Sequence, residues 1–115
     1  MKIGTMMFVA LLVVSGQGVN ANYYGTGGEL LNLCESELME EYGRCTGYLA
    51  GKLDMHELFF EFEALRVKYY CIPEGATLVQ LKKVFIKYAN ENPRDLHIHA
   101  TRLVGDAFRD AFPCE

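Results

Sequence analysis

A chain of 115 residues, half of them hydrophobic and with a net charge of −4, has the length of one domain. Eleven basic residues against fifteen acidic ones, with no basic cluster, argue against a nucleic-acid binder, whose phosphates demand Lys and Arg, and against docking on an anionic membrane. An acidic chain suits a basic protein partner instead.

The N-terminus reads as a secretory signal peptide. Met1-Lys2 is followed by an apolar run from Ile3 to Val14, broken only by Gly4 and Thr5, then by a polar patch and Val19-Asn20-Ala21. A charged start, a short apolar core and small residues before a cut define such a leader, and a run this short does not span a bilayer. We expect cleavage after Ala21, no lipid anchor, no membrane span in the mature form, and periplasmic export of a single domain, residues 22–115. Loss of Lys2 takes its net charge to −5. Cys34, Cys45, Cys71 and Cys114 then form an even set in an oxidising compartment, which predicts two disulfides. Zinc is the competing account, but no Cys-x-x-Cys pair supports it. Each crosslink is worth about 2–4 kcal/mol to a small domain.

Thr26 and Glu29 fit a capping box. Leu30, Cys34, Leu38, Tyr42, Cys45 and Leu49 follow at three- and four-residue steps, which predicts one apolar helical face continuing to about Phe62. Glu35, Glu37, Glu40 and Glu41 fall largely on the other side, as a solvated face or a patch for a partner. Within this helix Gly43, Gly47 and Gly51 recur every four residues. Each costs a helix about 1 kcal/mol relative to alanine. Together they form a strip without side chains that a neighbouring helix or loop can approach closely. The strip, with Cys45 beside it, is expected to be the packing centre; a turn at Gly43 splitting the helix is the alternative.

From Leu65 to Tyr70 apolar and basic residues alternate, which suits an extended segment or a helix. Phe59, Phe60, Phe62, Tyr69 and Tyr70 are expected to fill the core, with an exposed partner surface as the alternative. Cys71-Ile72-Pro73-Glu74-Gly75-Ala76 is a turn set by Pro73. Thr77 and Gln80 begin a second capping box, and Leu78, Leu81, Phe85, Tyr88 and Ala89 form the stripe of a helix ending near Asn90. Asn92 is expected to cap the last helix with Pro93 in its first turn. Leu96, Ala100, Leu103, Val104, Ala107 and Ala111 would make its inner face, while Asp106 pairs with Arg102 and Arg109 on the outer one. The fold class is thus all-α: a small disulfide-stabilised bundle of three to four helices.

Four cysteines allow three pairings. In one continuous helix Cys34 and Cys45 would stand about 16 Å apart, too far to bond. That favours Cys45–Cys71 with Cys34–Cys114, whereas a break at Gly43 would allow Cys34–Cys45 with Cys71–Cys114.

No catalytic constellation emerges. Cys71 with His97 would make a dyad only if the cysteine were reduced. His97 and His99 would point about 200° apart on a helix and cannot share a metal, and His56 is remote in sequence. No paired carboxylates stand out, and the glycines have helical rather than phosphate-loop spacing. The expectation is a protein that binds another protein, with no enzyme activity and no cofactor.

Cys45, Gly47, Tyr48, Gly51 and Asp54, the run Cys71-Ile72-Pro73-Glu74-Gly75, Gln80-Leu81, Tyr88, Pro93 and the closing Phe112-Pro113-Cys114 together resemble the Rap/Tai family of type VI secretion immunity proteins. Known members neutralise amidase effectors that rivals inject to cut peptidoglycan peptides. The resemblance covers nearly all of the chain beyond the leader. It implies an exported, helical, disulfide-bonded protein, often dimeric, that blocks a toxin's active-site cleft. The matching residues, among them Gly47, Tyr48, Gly51, Pro73, Gly75 and Pro113, are scaffold. For the contact surface, charge complementarity to a basic enzyme points to Glu35, Glu37, Glu40, Glu41, Asp54, Glu57 and Glu61. The competing function is a periplasmic stress or chaperone-like protein with exposed Phe59, Phe60 and Phe62.

Overall fold

The computed structural model describes Gly4 and residues 25–115, so the expected leader and its cut after Ala21 lie outside the described residues apart from Gly4. Among the described residues four helices follow one another: α1 (Gly27–Glu35), α2 (Met39–Glu61), α3 (Leu78–Glu91) and α4 (Ala100–Ala111). A short 3-10 turn, Pro93–Asp95, precedes α4. The described residues contain no strand, only an isolated bridge between Thr26 and His99. α1 packs against all three other helices. The core joins Leu30, Leu49, Leu81, Phe85, Leu103, Val104 and Phe108 around the buried sulfurs of Cys34 and Cys45.

Local chemistry explains most boundaries. The first capping box is complete: Thr26 N–H donates to Glu29 Oε2 at 3.0 Å and Glu29 N–H to Thr26 Oγ1 at 3.2 Å. The second is half formed, with Gln80 N–H on Thr77 Oγ1 at 3.2 Å. Gly75 takes φ +88° in the turn after Pro73, a conformation glycine adopts without steric cost. Asn92 does not cap the last helix as expected. Its Nδ2 instead donates to the Tyr88 carbonyl at 2.8 Å and closes α3, and α4 begins only at Ala100.

The continuous helix expected over residues 29–62 is in fact two. Ser36 stands extended at φ −70°, ψ 143°, its hydroxyl accepts from Leu38 N–H at 3.1 Å, and α2 starts afresh at Met39. A serine that hydrogen-bonds nearby backbone offers the chain an alternative to the helical ladder. The corner turns α1 back onto α2, so Cys34 and Cys45 lie 5.0 Å apart between Cα atoms and bond to each other; Cys71 bonds to Cys114. The favoured pairing of Cys45 with Cys71 and Cys34 with Cys114 is thereby overturned. The break sits at Ser36 rather than at Gly43, but has the same consequence.

The glycine strip is also corrected. Gly43, Gly47 and Gly51 are exposed, and a Cβ built on any of them meets nothing within 4 Å. The buried stripe of α2 is Cys45, Leu49 and His56, which occupies the opposite side. The close approach occurs at Gly27, where an added Cβ would run into the Leu103 side chain. There Gly27 and Gly28 donate their N–H groups to the Ile98 and Leu96 carbonyls, both at 2.8 Å, and lock α1 onto the approach to α4.

Of the five aromatics expected in the core, only Tyr70 is buried; Phe59, Phe60, Phe62 and Tyr69 are exposed. The reason is length. With 23 residues α2 is about 34 Å long, against about 21 Å for the 14 residues of α3, so its last turns overhang the bundle. Leu38, Leu78 and Ala111, also expected inside, are exposed, whereas Phe108 joins the core.

Candidate partner-binding surface

α2 presents the surface of interest. At about 100° per residue, Glu40, Asp54 and Glu61 fall on the same outer side as Gly43, Gly47 and Gly51, and all six are exposed. The seven acids picked out by charge do not form one patch. Glu35 ends α1, Glu37 lies in the corner, and Glu40 and Glu41 open α2. Asp54 follows about 20 Å further along the helix from Glu41, beyond the reach of one side-chain cluster. Glu57 is already engaged: its carboxylate accepts from Lys68 Nζ at 2.9 and 3.1 Å, which holds its pKa below the ordinary value.

Next to the glycines an apolar groove of about 660 Å³ opens between α2 and the segment that follows it. Gly47, Tyr48, Gly51, Lys52, Met55, His56 and Phe59 line it from α2, Leu65 and Tyr69 form the far wall from the following segment, and Thr101 contributes from α4. Burial depresses the Lys52 ammonium pKa, partly offset by Asp106.

Two anchors hold the far wall. Tyr69 Oη donates to Asp106 Oδ1 at 2.8 Å, and the Arg109 guanidinium lies 4.4 Å from the Tyr69 ring. Asp106 also pairs with Arg102 at 3.4 Å and Arg109 at 3.7 Å, as the spacing on α4 foretold. The second anchor is His56, 4 % exposed, whose Nε2 accepts from the Tyr69 backbone N–H at 3.0 Å while its ring stacks on Tyr70 at 3.9 Å. Tyr70 in turn meets Phe108 edge-on at 5.4 Å. The position of His56 in the sequence, far from the other two histidines, gives no hint of these partners. Its register with Cys45 and Leu49, eleven and seven residues back, was the available sign that it faces inward.

No cysteine is free among the described residues, so Cys71 cannot serve His97 as a nucleophile. No group of three His, Cys, Asp or Glu side chains among them is placed to hold a metal, and no described helix is long and apolar enough to cross a membrane.

The sequence model of the Rap1a immunity proteins matches residues 26–114, almost the whole described chain. No curated protein and no solved structure matches.

Proposed function

The chain belongs to the family of Rap1a immunity proteins, and from that premise we propose that it is the periplasmic antitoxin of a type VI secretion effector, silencing that effector by binding it. The effector class is a peptidoglycan amidase, and the chain acts by covering the cleft in which the peptide is cut. It supplies a surface and no chemistry of its own.

The observation that carries the reading is the outer face of α2. Three glycines in the middle of an exposed helix cost about 1 kcal/mol each, and nothing within the described fold packs against them in return. A partner whose backbone settles onto the strip recovers that cost as contact. Glu40, Asp54 and Glu61 flank the strip with negative charge, which steers a basic partner and sets its register. A second copy of the chain is the other occupant this face suits, and the mass of the free protein in solution tells the two apart.

The direct test is to purify the chain with the hydrolase encoded beside it and to measure peptidoglycan-peptide release with and without an equimolar amount. The reading expects a stable complex, loss of hydrolysis, and protection of cells that express the hydrolase in the periplasm. Hydrolysis that continues at saturating amounts of the chain refutes it.

One observation favours a second reading, a chaperone-like protein of the periplasm: Phe59, Phe60 and Phe62 are 46, 39 and 75 % exposed at the overhanging end of α2. Such a protein suppresses aggregation of unrelated unfolded clients, which an antitoxin specific to one effector does not.

A further inference from the structure

We propose that residues 63–70 form an acid-released clip: at neutral pH the clip is latched to α2 through the unprotonated Nε2 of His56, and protonation there opens it. The inference goes beyond the antitoxin reading and does not depend on it.

The geometry fixes the protonation state. Nε2 accepts the Tyr69 N–H, so it carries no proton, and the imidazole is neutral with its hydrogen on Nδ1. A second proton would set N–H against N–H at 3.0 Å and abolish the bond. It would also place a cation in a site closed by the Tyr70 ring. The charges facing that site divide, with Glu57 favouring the cation and two lysines opposing it. On α2, Lys52 repels it and Glu57 attracts it, with Oε1 3.7 Å from Nδ1, but Glu57 already serves Lys68 of the clip, itself a second repelling charge. From α4, Asp106 reaches the clip only through the Tyr69 hydroxyl, and Arg102 and Arg109 already pair with it. Nδ1 makes no hydrogen bond among the described residues, and the Glu57 carboxylate beside it is what favours the charged form. Burial, the largest effect, places the His56 pKa below the ordinary value of 6.5.

The clip is bounded at both ends, and within it Leu65 N–H also donates to the Phe59 carbonyl at 3.1 Å. At one end α2 stops and Glu63 takes a left-handed φ of 58°, unusual for a residue other than glycine or asparagine. At the other end Cys71 is tied to Cys114 and donates its N–H to the Phe112 carbonyl at 2.9 Å. Opening is confined between these points. Leu65 and Tyr69 form the far wall of the groove beside the glycine strip, so release of the clip removes that wall.

The sign follows from linkage. The open state binds the proton at the ordinary imidazole affinity and the closed state more weakly, so closure is complete above about pH 6.5 and is lost as pH falls through the latched value. The test uses the disulfide-bonded protein alone, followed by NMR from pH 7.5 to 5: the His56 ring nitrogens report the proton, and amide exchange, corrected for intrinsic rates, reports opening at Tyr69. We expect the Nδ1–H tautomer at pH 7.5, and Tyr69 opening that rises up to about tenfold per pH unit as pH falls from about 6.5 to the latched His56 value and levels off below it, while Phe85 and Val104 stay protected. His56→Gln keeps an acceptor but cannot titrate, and makes Tyr69 opening independent of pH. Should that variant fail to fold, Lys52→Met, which withdraws a cation opposing the protonated ring and touches none of the clip's hydrogen bonds, moves the midpoint to higher pH. Tyr69 opening that is flat with pH in the unaltered protein, or that rises only together with Phe85 and Val104, overturns the clip. With no effector in the tube, that outcome leaves the antitoxin reading standing.

Discussion

Replacing Gly43, Gly47 and Gly51 together by alanine separates what the fold needs from what a partner needs. All three sit inside α2 with helical, negative φ, and an alanine Cβ meets nothing within 4 Å at any of them. Each substitution therefore yields the full difference in helix propensity, about 0.8–1.0 kcal/mol, partly by narrowing the freedom of the unfolded chain. The three sites are about 6 Å apart along the axis and their methyl groups do not touch, so the gains sum to about 2–3 kcal/mol. For a domain of this size that raises Tm by about 10–20 °C. Denaturant unfolding followed by helical circular dichroism measures it. Unchanged or lowered stability would show that the strip already packs against something, and the reasoning fails. The same protein tests the contact surface: three methyl groups on a face that a partner's backbone must approach should weaken effector binding by at least about tenfold. A stabilised triple variant that still binds at full affinity removes the outer face of α2 from the proposal.

Gly27→Ala should act in the opposite direction, costing about 1–3 kcal/mol in the same assay, because its Cβ would overlap Leu103 where α1 locks onto the chain before α4. Breaking the disulfides with serine should cost about 3 kcal/mol for Cys34–Cys45 and about 4 kcal/mol for Cys71–Cys114, since the second closes 43 residues against 11; equal losses would contradict the loop-length argument. Phe85→Ala should cost about 3–5 kcal/mol, because the ring is fully buried in the middle of α3. Stability to denaturant should fall as pH drops below about 6.5, since unfolded His56 binds a proton that the folded site resists, and His56→Gln should remove that component. A profile that His56→Gln leaves unaltered would place the titration elsewhere.

Local chemistry was enough for much of this protein. The caps at Thr26 and Thr77, the turn at Pro73 and Gly75, the apolar stripes of α3 and α4 and the even set of cysteines each depend on residues within a few positions of one another, so the helical class and the family resemblance were legible in the chain itself. The disulfide partners were not. They turn on one corner at Ser36, where a serine hydroxyl and an extended backbone outweigh an apolar pattern that runs unbroken across it. Period did carry the inward side of α2, since Cys45 and Leu49 recur on one face and the glycines fall opposite it; the apolar pattern, not the missing side chains, marked the core, and the strip is left toward solvent. The aromatics at the end of α2 are exposed because α3 is shorter than the helix it packs against, a comparison that exists only once the helices are side by side. His56 meets Tyr69 and Tyr70 across thirteen residues and more, and Tyr69 meets Asp106 across thirty-seven. Contacts of that separation carry no local signal; the packing of the bundle creates them.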